Sequence, residues 1–156
     1  IETMKLGDLC IASPDMGGAK RAHAYGSKLE AEVVICYKQR KKANVIDKMT
    51  VIGEVAGKNV ILVDDMVDTG GTLCKAAEML KEKGAKTVRA YCTHGVLSGP
   101  AQARIADSAL EELVITDTIP QTSENSKIRV ISVAEMFAQV MKNVHHHESI
   151  SGHFIM

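Results

Sequence analysis

A mostly parallel, twisted α/β sheet flanked by helices is the fold this sequence predicts, and two observations predict it. Short apolar runs alternate with helix-like stretches along the chain, the pattern of strands joined by covering helices. One run, Val60-Ile61-Leu62-Val63, leads into Asp64-Asp65 and a loop containing Asp68, Thr69, Gly70, Gly71 and Thr72, before a helix-like run from Leu73 to Leu80. This reads as a buried strand, a polar turn and a helix start, the junction where ligands sit in open α/β sheets. A length of 156 residues suits one domain with a full core. The expected domain spans residues 1–156, with no repeat or second boundary.

Leu9-Cys10-Ile11-Ala12 reads as the first strand. It ends in Ser13-Pro14-Asp15-Met16-Gly17-Gly18, a turn before a helix from about Ala19 to Leu29. Val33-Val34-Ile35-Cys36 is the second strand. From Lys38 to Lys48 the chain is polar, with Lys38, Arg40, Lys41, Lys42 and Lys48 set against Asp47 alone. Met49 to Val55 is a short extended segment, and Gly57-Lys58 a turn. Gly84 is a stop for the helix that follows the focal strand. Thr87 to Cys92 is a strand, and Pro100 closes the next loop and opens a helix to about Ala106. Leu113 to Thr116 and Ile128 to Ile131 are strands on either side of a polar loop. Val133 to about Val144 is an amphipathic helix, with Met136, Phe137, Val140 and Val144 at helical spacing.

Composition excludes several classes. Lys plus Arg total 19 against 19 Asp plus Glu, so no basic excess points to a nucleic-acid partner. No apolar run approaches the roughly 20 residues that span a bilayer, and no membrane partner is expected. Nothing at the start resembles a secretory signal. Cys10, Cys36, Cys74 and Cys92 form no CxxC pair and lie in or beside apolar segments. They read as reduced, packed thiols of a cytoplasmic protein, and a zinc site needs closer ligand pairs. The first residue is Ile, which is expected of a piece of a longer chain.

The focal loop carries the chemistry. Gly70 and Gly71 allow positive φ and close approach to a ligand. Thr69 and Thr72 add hydroxyl donors, and the helix behind them offers free N–H groups. Together these suit a phosphate monoester. Asp64 and Asp65 would repel a polyphosphate, but a carboxylate accepts hydrogen bonds from a vicinal diol, and such a pair can also hold Mg²⁺. Phosphate donors beside diol acceptors indicate a sugar phosphate. The loop has no Lys, so it is not a Walker A motif, and no G-x-G-x-x-G occurs.

This stretch resembles the phosphoribosyl diphosphate motif of type I phosphoribosyltransferases, and more closely that of the ribose-phosphate diphosphokinases. Four further segments resemble the diphosphokinases. Ser13 to Ala22 is similar to their SPD-x-GG segment, and Tyr37-Lys38-Gln39-Arg40 with Asn44-Val45 to their basic loop. Thr93 to Ala101 is similar to their TH-P-VLSG-x-A loop, and Glu148-Ser149-Ile150-Ser151 to their tail. Tyr37 replaces a usual Asp, Gln39 an Arg and Gly95 a Pro. The family has two tandem domains, and the resemblance places this chain in the C-terminal one, with the N-terminal domain and most of the ATP site absent.

The resemblance implies transfer of the diphosphoryl group of ATP to C1 of ribose 5-phosphate, with Mg²⁺ as cofactor, AMP as product and nucleotide biosynthesis as the purpose. It implies that Asp68, Thr69, Gly70, Gly71 and Thr72 hold the 5-phosphate, and Asp64 and Asp65 the ribose hydroxyls. Asp15 would ligate Mg²⁺, and Lys38 and Arg40 would close over the transferring phosphorus as catalytic cations, Arg40 also touching substrate. A homo-oligomer, the family hexamer, is expected of the full-length enzyme, and an isolated half is expected to be inactive. A noncatalytic relative would have no need of Lys38 and Arg40, and a phosphoribosyltransferase would need a nucleobase hood that is not found. His94 is expected to steady its own loop, and His145-His146-His147 to be a solvated helix end.

Overall fold

The computed structural model describes residues 1, 4–39, 48–122 and 125–154. Strand β1 (Leu9–Ser13) leads through a tight turn to α1 (Ala19–Leu29), then β2 (Glu32–Gln39) and β3 (Lys48–Ile52). Strand β4 (Asn59–Val67), α2 (Gly71–Glu82), β5 (Thr87–Gly95), α3 (Ala101–Asp107) and β6 (Glu112–Thr116) follow. The chain ends in β7 (Ile128–Ile131), α4 (Ala134–His145) and a 3-10 turn at Ser151–His153. Among the described residues the strands form one sheet in the order β3-β2-β1-β4-β5-β6-β7. All pairings are parallel except β2 with β3. This is the expected α/β class.

The central strands read as continuous apolar runs because both faces are covered. Alternate residues face opposite ways. Cys10, Ala12, Val60, Leu62, Val88 and Ala90 pack with Leu73, Ala77 and Leu80 of α2 and Ile105 of α3. Ile11, Ile61 and Val63 pack on the other face with Ala22, Tyr25 and Leu29 of α1. Burial pushes the Cys10 thiol up to about 11, and those of Cys36 and Cys92 up to about 12. At neutral pH these are packed thiols, as their apolar setting suggests.

The covering is uneven. Val130 and Ile131 of β7 are exposed, and α4 buries none of its residues. The apolar face read from Met136, Phe137, Val140 and Val144 is therefore present but open: Met136, Phe137 and Val144 are exposed and Val140 is half-buried. Among the described residues no helix is long and apolar enough to cross a membrane.

Candidate functional site

From β1 the chain steps to β2 on one side, and from β4 to β5 on the other. The crevice at the carboxyl ends of β1 and β4 is thus the point where the winding direction reverses, the place for a ligand in an open sheet. The loop after β1 and the loop after β4 meet there.

The structure places the acidic pair on strand β4. Strand β4 pairs with β1 only as far as Leu62 but with β5 as far as Val67. Asp64 and Asp65 thus lie on the part of β4 that has outrun one neighbour. Their side chains fold back onto the backbone: Asp64 Oδ1 accepts the Asp65 N–H at 2.9 Å, and Asp65 Oδ1 accepts the Met66 N–H at 2.8 Å. A groove of about 390 Å³ opens beside Asp64, with Tyr25, Tyr91, Thr93 and Thr116 among its walls.

Arg21, in the first turn of α1, spans the crevice to both carboxylates. Its Nη1 donates to Asp64 Oδ1 at 2.7 Å, and its Nη2 to Asp65 Oδ2 at 2.9 Å. A Cβ on Gly18 would stand 3.3 Å from Arg21 Nη1 and 2.6 Å from Ser13 Oγ, so a glycine there leaves room for the guanidinium. Burial raises the Asp64 carboxyl above its ordinary value despite the ion pair. Burial acts the same way on Asp65, but there the Arg21 charge and the Met66 N–H prevail and lower it.

Asp15 is exposed, and its Oδ1 accepts the Gly18 N–H at 3.0 Å. Ser13 Oγ donates to Asp15 O at 2.6 Å and fixes the turn. Among the described residues no group of three or more His, Cys, Asp or Glu is gathered for a metal. One exposed carboxylate nevertheless fits Mg²⁺, which keeps several waters and is usually held by one or two carboxylates plus substrate phosphates.

The turn into α2 is braced from outside itself. Gly70 takes φ 70°, the left-handed region, as N-cap of α2. No side-chain cap bond and no acidic residue occupies the first turn of α2, so its N–H groups face the loop without a side-chain acceptor. The Asp68 carboxylate accepts the Ser98 hydroxyl, and the Ser98 N–H donates to Asp68 O at 3.2 Å. Arg104 of α3 donates from Nη1 to Thr69 O at 2.5 Å. Thr69 and Thr72 are exposed, Gly71 is half-buried, and Gly70 is buried.

Lys38 and Lys48, the two ends of the basic segment, lie on β2 and β3. The β1–β2 pairing ends at Ser13↔Ile35, whereas β2 continues to Gln39 paired with β3 alone. Residues expected to begin a loop are thus a two-stranded ribbon rising past the carboxyl edge, and the Lys38 backbone is on it, opposite Met49. Arg40 lies outside the described residues. His94 lies on β5 rather than in the loop it is expected to steady, and its Nδ1 lies 2.9 Å from Thr118 Oγ1 in the turn after β6.

Arg21, Ser98 and Arg104 escaped the reading of the sequence as site residues. Arg21 meets Asp64 across 43 positions, Ser98 meets Asp68 across 30, and Arg104 meets Thr69 across 35. No local signal marks these meetings; only the strand order makes them.

Sheet order, a crevice at the reversal point and a helix start without a side-chain cap define an open α/β domain with its candidate site at the carboxyl edge. The chain belongs to the phosphoribosyl synthetase-associated domain family, whose model matches residues 26–155. It is 50% identical over 155 residues to the ribose-phosphate pyrophosphokinase of Wolinella succinogenes, covering 99% of this chain and 50% of that one. The enzyme of the same name from Campylobacter jejuni is 53% identical over 145 residues, with coverages of 93% and 47%. The crystal structure of phosphoribosylpyrophosphate synthetase from Mycobacterium smegmatis superposes with a TM-score of 0.81 at 36% identity, covering 90% of this chain and 46% of that one. The chain thus spans about half the length of these relatives. Those coverages measure extent and not position, so they do not carry the expected C-terminal placement.

Proposed function

We propose that this chain is one half of a ribose-phosphate diphosphokinase, the transferase that moves the diphosphoryl group of ATP to C1 of ribose 5-phosphate and releases AMP for nucleotide biosynthesis. The observation that carries the reading is the uncapped start of α2 beside the Asp64–Asp65 pair. The N–H groups at that start, with the Thr69 and Thr72 hydroxyls, suit a phosphate monoester, and the carboxylates suit the vicinal hydroxyls of the pentose. Asp68, held by Ser98, keeps the turn in shape.

Lys38 and Arg40 act as cations over the transferring phosphorus. Such transfer needs positioning and neutralisation of nonbridging oxygens more than covalent help. Among the described residues β2 continues to Gln39 paired with β3 alone, and the Lys38 backbone lies past the last β1–β2 pair at Ser13↔Ile35, which supports this reading. Asp15 ligates Mg²⁺ directly or through water, and the ion when bound neutralises charge on the ATP phosphates. The other half supplies most of the ATP site, so this chain alone binds ribose 5-phosphate but does not turn over. Packed, protonated thiols suit the reducing cytoplasm, and the full-length enzyme assembles as a homo-oligomer.

Calorimetric titration tests the reading. Ribose 5-phosphate should bind far more tightly than either ribose or inorganic phosphate, because it alone fills both subsites. Equal affinity for inorganic phosphate would remove the sugar subsite from the account. In the full-length enzyme, Lys38→Ala should lower kcat by roughly 10²–10³-fold with a much smaller rise in KM. Weakened binding at an unchanged kcat would contradict the role of Lys38.

A further inference from the structure

Two adjacent carboxylates at the mouth of a crevice are ordinarily a place for a divalent cation, since hard oxygen donors and double negative charge suit Mg²⁺. Here a third group intervenes. Arg21 forks across the pair with bonds of 2.7 Å and 2.9 Å, one nitrogen to each carboxylate. Together with the Asp65 and Met66 N–H groups, it engages three of the pair's four oxygens. We propose that Arg21 is a positioning residue that sets the ligand class of the Asp64–Asp65 pair, making it an acceptor for a vicinal diol instead of a cation site.

Charge and geometry both argue for this. Two ionised carboxylates and one guanidinium leave a single net negative charge, and the cation lies where a metal ion would otherwise draw both side chains together. A sugar hydroxyl brings no charge, so the fork does not repel it. Each carboxylate oxygen has more than one lone pair, so an oxygen already bonded to Arg21 can still accept a hydroxyl. The planar fork fixes the two carboxylates relative to each other, a geometry that a Lys at this position does not reproduce. The surroundings fit the assignment: Gly18 leaves room for Nη1, and Arg21 is only partly exposed, at 31%. The fork also ties the loop after β1 to the loop after β4, so the sugar face is assembled from both sides of the crevice.

The inference rests on the sugar-phosphate reading above, and the test separates the two. The native chain, Arg21→Gln and Arg21→Lys are titrated with ribose 5-phosphate, inorganic phosphate and Mn²⁺, with amide resonances as the readout. Arg21→Gln should bind ribose 5-phosphate about tenfold or more weakly, the loss of at least one charge-assisted bond. It should keep the native affinity for inorganic phosphate within about twofold, since the start of α2 is untouched. It should also gain Mn²⁺ broadening at the Asp64 to Met66 amides. Arg21→Lys should fall between the two proteins, and it carries the same test if Arg21→Gln does not fold. Native affinity for ribose 5-phosphate in the variants, without new Mn²⁺ broadening, overturns the role of Arg21 and leaves the sugar-phosphate reading intact. Parallel loss of ribose 5-phosphate and inorganic phosphate marks a merely structural residue and also overturns it. A native chain that does not prefer ribose 5-phosphate to phosphate overturns both readings.

Discussion

Helices α2 and α4 are each 12 residues long and each carry an apolar stripe, yet one lies inside the protein and the other outside it. Leu73, Cys74, Ala76, Ala77, Met79 and Leu80 of α2 are buried, whereas no residue of α4 is. The difference lies in the strands that feed them. Helix α2 follows β4, a central strand, and its crossover to β5 lays it on the sheet. Helix α4 follows β7, the edge strand, whose Val130 and Ile131 are themselves exposed. Helical periodicity reports that a face is apolar; what covers that face depends on where the preceding strand lies in the sheet.

The largest expected effect separates the two helices directly. Leu80→Ala, at a fully buried position of α2, should cost about 2–5 kcal/mol in urea unfolding. Met141→Ala, at 64% exposure on α4, should stay within about 0.5 kcal/mol. Similar losses at the two sites would erase the distinction. Next in size is the start of α2. Gly70→Ala forces a Cβ onto a residue at φ 70° and should cost about 1–2 kcal/mol of stability, while also weakening phosphate binding. The Cβ itself has room, its nearest neighbour being Ile105 Cγ1 at 3.6 Å, so a neutral result would mean that the left-handed turn is not required.

The smallest effect belongs to the entry of α4. Asp117 Oδ1 accepts the Val133 N–H at 3.0 Å. The Ser132 hydroxyl and that N–H hold the Asp117 carboxyl below its ordinary value. A carboxyl lowered in the folded state stabilises it above the unfolded value, and that contribution is lost as pH falls through the folded one. The helical carbon shifts at the start of α4 should therefore weaken below about pH 4, and in Asp117→Ala they should be weaker already at neutral pH. Identical pH profiles for the two proteins would show that Asp117 does not anchor this helix.

Local pattern carried much of the fold. Helix α1 begins and ends where its sequence suggests, at Ala19 and Leu29, because the Gly17-Gly18 turn and its apolar spacing are local features. The apolar run of β4 and the start of α2 were equally legible. The ends of strands were not. The apolar run ends at Val63, yet β4 continues to Val67 because β5 keeps pairing with it. Likewise β2 runs past Cys36 to Gln39 because β3 pairs with it in antiparallel register. In both places the partner strand overrides the polar character of Asp64, Asp65 and Lys38. The candidate site divides in the same way. Its phosphate turn and acidic pair stand together in one short stretch. The Arg21 fork and the Ser98 and Arg104 braces come from other elements, and only the sheet order brings them to that stretch.

The central claim is that the β4–α2 junction grips a pentose phosphate with its phosphate on the helix start and its hydroxyls on the acidic pair. Amide shift mapping of the native chain tests it most directly. Ribose 5-phosphate should move the amides of residues 69–72 together with those of 64–66, whereas inorganic phosphate should move only the first set. Shifts confined to other parts of the chain, or the same pattern from both ligands, would contradict the account.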